Sequence, residues 1–335
     1  MSRSSLVLIL AFTACAPPDQ QALLDTKTYV DGNLDALVAA STALCTAAPA
    51  PAAGGWNPTT HAPAVTTMRA QWKKARISYE RVEGSIAVLF PEFDESTDQR
   101  YDGFLENTTD TNLFDDQVVT GVHGIERILF ADQITAEVKT FEEGLGSKYV
   151  AAAFPANEAQ ARDFKEKLCA KLVSDVKTLK TQYQPLALDT ASAFRGVIGS
   201  MKEQLEKTTF AATGEEESRY ARHTLADMRA NLEGATATYE AFRPWLQAKG
   251  QAALDTEIVT GLARVKAGFD VVTGDALPTP PATWSSVNPS AADRQTPFGQ
   301  IFTLVETETA TSGSSLVASM GKAADVLGVP ALPGT

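Results

Sequence analysis

Two pairs of side chains have the types and the spacing to hold a metal ion. His123 and Glu126 lie three residues apart, so on a helix both can face one ion from the same side. Glu80 and Glu83 have the same spacing in another segment. Imidazole and carboxylate groups suit hard or borderline ions such as iron, zinc or manganese. These residues therefore predict metal binding.

The surroundings of Glu80 and Glu83 support this prediction. Apolar residues recur at spacings of three and four between residues 61 and 90, and at about 100° per residue Glu83 falls inside that stripe. Glu80 lies at the edge of the stripe. A carboxylate that faces a core is costly unless it is paired or binds a metal. Arg76, one turn before Glu80, offers a simple ion pair as the alternative explanation.

His123 and Glu126 belong to a second apolar segment, a helix predicted near 116–131. Glu126 lies within its apolar arc and His123 at the margin of that arc. A histidine and a glutamate at this spacing are by themselves more often a surface pair than a site. The chain has only three histidines, and a second acid pair interrupts another stripe, so we favour the metal site.

Two further acidic features are interpreted as solvated. His223 and Asp227 are one turn apart but lie opposite the apolar stripe of their predicted helix, so they are a weaker candidate for a second metal site. The run Glu215–Glu217 is typical of a solvated helix start, where the helix dipole favours acidic side chains.

Helical periodicity dominates the chain, and no segment shows convincing period-two alternation, so the predicted fold is all-α. The acidic segment 91–116 has few helix signals and is predicted to be a loop with a functional role. The predicted helices lie near 19–47, 62–90, 116–131, 157–184, 188–209, 218–248, 252–273 and 296–327.

The length of the chain predicts two packed antiparallel helical bundles. With 335 residues, 44% of them hydrophobic, the chain can bury more than one bundle accommodates. We place the boundary near Gln184-Pro185, which gives an N-terminal bundle at 19–185 with the metal site and a C-terminal bundle at 186–330.

Residues 1–15 have the features of an export signal. A short apolar run follows Arg3 and ends in Thr13-Ala14-Cys15, a stretch that resembles a bacterial lipoprotein cleavage box with Cys15 as the lipidated residue. The predicted location is therefore the bacterial cell envelope, with a lipid anchor in a membrane. Cys45 and Cys169 remain, and they form either a disulfide or two buried thiols.

The charge balance excludes one class of partner. Twenty-nine basic and forty-one acidic residues give a net charge of -12, which repels phosphate backbones and attracts cations. We therefore expect no nucleic-acid partner.

Several segments of this chain resemble the imelysin-like family. The central one, Gly121-Val122-His123-Gly124-Ile125-Glu126, has the form Gly-x-His-x-x-Glu. The others are Trp72 to Glu83 with its Tyr-Glu-x-x-Glu pattern, Phe93-Asp94, Asp98-Gln99-Arg100, Gly214-Glu215-Glu216, Arg219-Tyr220, Leu225-Ala226-Asp227 and Ala230 to Gly234.

The resemblance implies a pair of helical bundles and a metal site at the Gly-x-His-x-x-Glu helix. The matching ligand positions are His123, Glu126, Glu80, Glu83 and Asp98. Members of this family include periplasmic iron-uptake components of the EfeO type. Iron is therefore the expected ion, with zinc, copper and manganese as alternatives, and the expected partner is an iron permease or a peroxidase in the membrane or periplasm.

Two other functions stay open from the sequence, a metallopeptidase and a metal-dependent binder of acidic polysaccharide. A His-Glu-x-x-His peptidase needs a glutamate and a second histidine, and here Gly124 and Arg127 occupy those positions. No Gly-x-Ser-x-Gly elbow is present either. We therefore expect a binding protein rather than an enzyme.

Overall fold

The computed structural model describes residues 16–332, and the predicted signal peptide and Cys15 lie outside this range. Residues 16–332 form helices and no strand, which confirms the all-α prediction. The α-helices are α1 Pro18–Ala47, α2 Ala62–Glu80, α3 Glu83–Leu89, α4 Pro91–Asp98, α5 Tyr101–Phe104, α6 Gly121–Leu129, α7 Ala136–Glu143, α8 Glu158–Asp163, α9 Cys169–Tyr183, α10 Gly196–Ala211, α11 Thr224–Ala248, α12 Ala252–Asp270, α13 Pro297–Glu308 and α14 Leu316–Leu327.

Several predicted helices are divided in the structure. The segment predicted as 62–90 breaks between α2 and α3, where α3 turns to pack on α10. At that contact the backbones of Gly84 and Gly196 meet so closely that a Cβ on Gly196 would lie 1.9 Å from the carbonyl oxygen of Gly84. The segment 296–327 is also two helices, α13 and α14, and the side chain of Ser315 caps the second by accepting a hydrogen bond from the Ala318 amide.

The prediction of a loop at 91–116 is wrong for its first part, which contains α4 and α5. Pro91 takes the first helical position of α4, and two acids in its first turn complement the helix dipole. The next helix begins later than predicted, at Gly121, which has a φ of 72°. A Cβ at Gly121 would lie 2.3 Å from the carbonyl oxygen of Thr97, so only glycine lets α6 approach α4 this closely.

The core is continuous across the predicted boundary. One cluster of buried side chains contains Leu34 of α1, Trp72 of α2, Leu179 of α9, Phe242 of α11 and Met320 of α14. The long helix α1 packs along α2, α9 and α11, and so joins elements from both predicted bundles. None of the helices within residues 16–332 has the length and apolarity needed to cross a membrane.

A disulfide joins Cys45 of α1 to Cys169 of α9, and their Cα atoms are 5.6 Å apart. The bond closes a loop with a sequence separation of 124. Because such a crosslink restricts the unfolded chain, we expect the Cys45→Ser/Cys169→Ser double variant to lose about 2–4 kcal/mol of unfolding free energy. Guanidinium unfolding with and without reductant measures this, and an unchanged midpoint in the double variant would contradict it.

Candidate metal centre

A buried cluster of charged side chains lies where α2, α3, α4, α6, α10 and α11 meet the segment between α10 and α11. The packing of α6 on α2 is fixed by the Trp72 indole, which donates a hydrogen bond of 2.8 Å to the Val122 carbonyl oxygen. The cluster contains Arg76, Glu80, Glu83, Asp98, His123, Glu126, Lys207, Glu217 and Asp227.

The imidazole of His123 is 1% exposed and is held in one orientation. Its Nδ1 lies 2.7 Å from Glu126 Oε2. The other oxygen of Glu126 accepts hydrogen bonds from the backbone amides of Tyr220 and Ala221, at 3.0 and 2.8 Å. His123 Nε2 lies 3.3 Å from Asp98 Oδ1 and makes no hydrogen bond within the described part of the chain. This ring nitrogen therefore faces the acidic cluster.

Two groups of ligand atoms in this cluster are close enough to share an ion. The first, which we call the histidine position, is formed by His123, Asp98 and Glu217. The second, the carboxylate position, is formed by Glu80, Glu83, Asp98 and Glu217. Within each group the ligand atoms lie within 4.8 Å of one another. Four of the five predicted ligands belong to these groups, namely His123, Asp98, Glu80 and Glu83.

Glu126 and Glu217 take places that differ from their predicted ones. Both Glu126 oxygens have partners, one in His123 and one in two amides, so this carboxylate supports the imidazole and is absent from both ligand groups described above. Glu217, interpreted from sequence as solvated, has a side chain only 12% exposed and belongs to both groups. The segment that carries it forms turns, not a helix start, and Glu217 contacts Arg76 of α2.

Two cationic side chains, Arg76 and Lys207, hold the acids together. Arg76 is fully buried and pairs with Glu80, as the alternative explanation from sequence anticipated, and also with Asp98. It lies 2.8 Å from Glu217 and 3.4 Å from Asp227, measured between nitrogen and oxygen. The second cation is Lys207, whose contacts are with acids of the carboxylate position. The carboxylates outnumber these two cations.

The pKa values of the buried side chains reflect this excess of carboxylates. Burial raises the pKa of Asp98 to about 7, although the Arg76 guanidinium opposes that rise. Burial and Arg76 act to lower the pKa of His123, but its contacts with Asp98 and Glu126 outweigh them and raise it to about 9. For Glu217 burial is outweighed by two cations, Arg76 and Lys207, which hold its pKa well below the usual range. A metal ion at His123 would replace the Nε2 proton, because a histidine ligand must be neutral.

The cluster opens to solvent through an acidic pocket of about 350 Å³. Seven carboxylates line this pocket, against one arginine and one lysine, which is an arrangement that concentrates cations. The lining acids are Glu83, Asp94, Glu95, Asp98, Glu203, Glu206 and Glu217. Asp98 and Glu217, the two acids that both ligand groups share, are therefore reached from this pocket.

The interpretation of His223 and Asp227 as a solvated pair is wrong, because their side chains are 1% and 0% exposed. α11 begins only at Thr224 and is covered on several sides, so the face opposite its apolar stripe is also buried. His223 Nδ1 lies 3.0 Å from Asp227 Oδ1, and the ring packs edge-on against Trp72. Asp227 in turn lies beside Arg76, so the pair supports the main cluster.

Comparison with known proteins identifies the family of this chain. Residues 22–285 match the family model described as imelysin, Peptidase_M75. The chain is also 27% identical over 179 residues to the iron uptake system component EfeO of Escherichia coli K12 and to that of Shigella flexneri. Each match covers 53% of this chain but only 38% of the relative, so the likeness spans less than half of those proteins. Because the family model covers most of its length, the chain belongs to the imelysin family.

Proposed function

We propose that this protein captures iron, or a similar divalent ion, at the histidine position for delivery to a membrane uptake system. The observation that carries the proposal is the buried Nε2 of His123, which lacks a hydrogen bond and faces Asp98 and Glu217. Glu126 fixes this ring as outer carboxylates do for many metal-binding histidines. The similarity to EfeO iron-uptake components supports iron as the ion.

The pocket favours a free cation over an anionic iron chelate as the form that is captured. Its seven carboxylates repel a negatively charged complex such as ferric citrate, and the net charge of -12 adds to that repulsion. The chemistry of the ligands suits this role, since carboxylates and one imidazole bind iron well.

We further propose that the protein acts in the bacterial cell envelope, anchored through a lipid on Cys15 and located in the periplasm or at the outer membrane. The sequence of residues 1–15 and the disulfide between Cys45 and Cys169 support this location, because disulfides persist in oxidising compartments. An iron permease or a peroxidase is the proposed partner.

Calorimetric titration of the purified protein with Fe²⁺ under anaerobic conditions, and with Zn²⁺, Cu²⁺ and Mn²⁺, tests the proposal. We expect saturable binding that excess citrate suppresses by competing for the ion, without formation of a protein–chelate complex. The absence of saturable heat with all four ions would contradict metal capture.

Glu217→Gln removes a carboxylate that belongs to both ligand groups while keeping the shape of the side chain. We expect the dissociation constant for Fe²⁺ to rise by about 100-fold, because losing a charged ligand costs at least as much as losing an outer partner. Glu215→Gln, two residues away, is the matched control and should bind as the wild type does. Similar affinities for the two variants would show that Glu217 is not a ligand.

Glu126→Gln tests the supporting role of Glu126. The amide can still contact His123 but no longer offers two acceptor oxygens to the ring and to the two backbone amides. We expect Fe²⁺ affinity to fall by about 10–100-fold, the range typical of outer partners of a metal-bound histidine. Glu143→Gln on α7, where the side chain is 54% exposed, is the control. Unchanged affinity in Glu126→Gln would contradict the role.

The surroundings of Arg127 argue against the peptidase alternative. This residue stands where a His-Glu-x-x-His motif has its second histidine, and its guanidinium is engaged elsewhere, 3.0 Å from Glu142 and 3.8 Å from the centre of the Tyr101 ring. Chelator-sensitive turnover of casein by the purified protein would favour the peptidase over the binding protein.

A further inference from the structure

The two ligand groups differ in their relation to Lys207. They share Asp98 and Glu217, so two ions bound at once would be close neighbours that use common ligands. Lys207 lies on α10, and its ammonium contacts three of the four ligands of the carboxylate position but only one of the three ligands of the histidine position. The ion pairs of Lys207 within residues 16–332 are with Glu80, Glu83 and Glu217, all of which belong to the carboxylate position.

The ammonium of Lys207 is coordinated much as a cation at that position would be. Its Nζ lies 2.8 Å from Glu80 Oε2, 2.7 Å from Glu217 Oε2 and 3.7 Å from Glu83 Oε2. It also donates a hydrogen bond of 3.2 Å to the side-chain oxygen of Asn231. The side chain is 7% exposed, so solvent does little to screen its charge.

Neighbouring side chains keep Lys207 in place. Gln204, three residues earlier on α10, donates a hydrogen bond of 2.8 Å to the same oxygen of Asn231. The amide nitrogen of Asn231 donates to Glu83 Oε2 at 2.7 Å and to the Glu80 carbonyl oxygen at 2.9 Å. Asn231 therefore ties the lysine and two of the acids into one network.

We infer that Lys207 occupies the carboxylate position as a built-in cation and so limits the protein to one metal ion, bound at the histidine position. The inference rests on the proposed function, since it takes the histidine position as the place of that ion. A divalent ion beside the fixed ammonium would meet like charge in a poorly screened site, and three of the four acids it needs already contact that ammonium. Arg76 does not make this distinction, because its contacts include Asp98 and Glu217, the two acids that both positions share.

The test is the number of Mn²⁺ ions bound per chain, counted by native mass spectrometry and metal analysis of the purified protein. We expect one ion for the wild type and two for Lys207→Met, which keeps most of the length of the side chain and removes its charge. Lys202→Met is the matched control, because Lys202 is an exposed lysine on the same helix, and it should bind one ion. If Lys207→Met fails to unfold cooperatively, Lys207→Gln takes its place.

Two ions on the wild type, or no more ions on the folded Lys207 variant than on the wild type, would overturn the inference. A His123→Ala/Lys207→Met variant separates the inference from the proposed function, because it should keep the single ion of the carboxylate position. If the wild type binds no Mn²⁺ and Lys207→Met binds one, the proposed function fails while the inference about Lys207 stands. If neither protein binds an ion, both fail.

Discussion

Replacing His123 with alanine is expected to weaken Fe²⁺ binding by about 100-fold or more while the protein remains folded. The imidazole supplies the only nitrogen ligand in the two groups around Asp98 and Glu217, and it is buried and pre-oriented by Glu126. Loss of a direct ligand exceeds the roughly 10–100-fold effect of losing an outer partner. Anaerobic calorimetry measures the change in dissociation constant, and circular dichroism confirms the fold.

His61→Ala is the matched control for this variant. His61 precedes α2, is partly exposed and contacts its neighbour Thr60, so its removal leaves the cluster intact. We expect wild-type affinity. Equal loss of affinity in the His61 and His123 variants would show that the effect is nonspecific, and full retention in His123→Ala would remove this residue from the site.

Arg76→Met is expected to cost the metal-free protein about 3–5 kcal/mol of unfolding free energy, the range typical of removing one partner from a buried ion pair. Its guanidinium is fully buried and contacts Glu80, Asp98, Glu217 and Asp227, which would be left without their shared cation. Urea unfolding of the metal-free variant measures the loss. Added Mn²⁺ should restore more stability to the variant than to the wild type, because the ion supplies the missing positive charge.

Arg81→Met provides the comparison for a surface arginine. Arg81 pairs with Glu233, and the two side chains are 35% and 55% exposed, so its loss should cost no more than about 1 kcal/mol. If the two variants lost similar stability, or if Mn²⁺ stabilised Arg76→Met no more than the wild type, Arg76 would not be the cation that balances the site.

The features of this fold that depend on local spacing could be predicted from the sequence. The apolar stripes of α2 and α6 follow helical periodicity, and Glu80, at the edge of the α2 stripe, is buried. Glu83 is buried as well, although the helix breaks between Glu80 and Glu83 and the two residues lie on different helices. The pairing of His123 with Glu126 also follows from their spacing. In each case the decisive geometry lies within one or two helical turns.

Features that depend on contacts between distant segments could not be predicted in the same way. After the break that follows α2, α3 packs closely on Gly196, more than a hundred residues later in the chain, and helical spacing cannot show this contact. Glu217 and Lys207 carry no local sign of burial, because the segments that bring them to Arg76 are fixed by tertiary packing. The burial of His223 cannot be predicted from helical periodicity, because periodicity does not show that α11 is covered on several sides.

The most direct test of the account is X-ray diffraction at the iron absorption edge, from crystals of the protein loaded anaerobically with Fe²⁺. The account predicts an anomalous peak within bonding distance of His123 Nε2 and of carboxylate oxygens of Asp98 and Glu217, with Glu126 still contacting Nδ1. A strongest peak away from these three side chains, in crystals that metal analysis shows to contain iron, would contradict it.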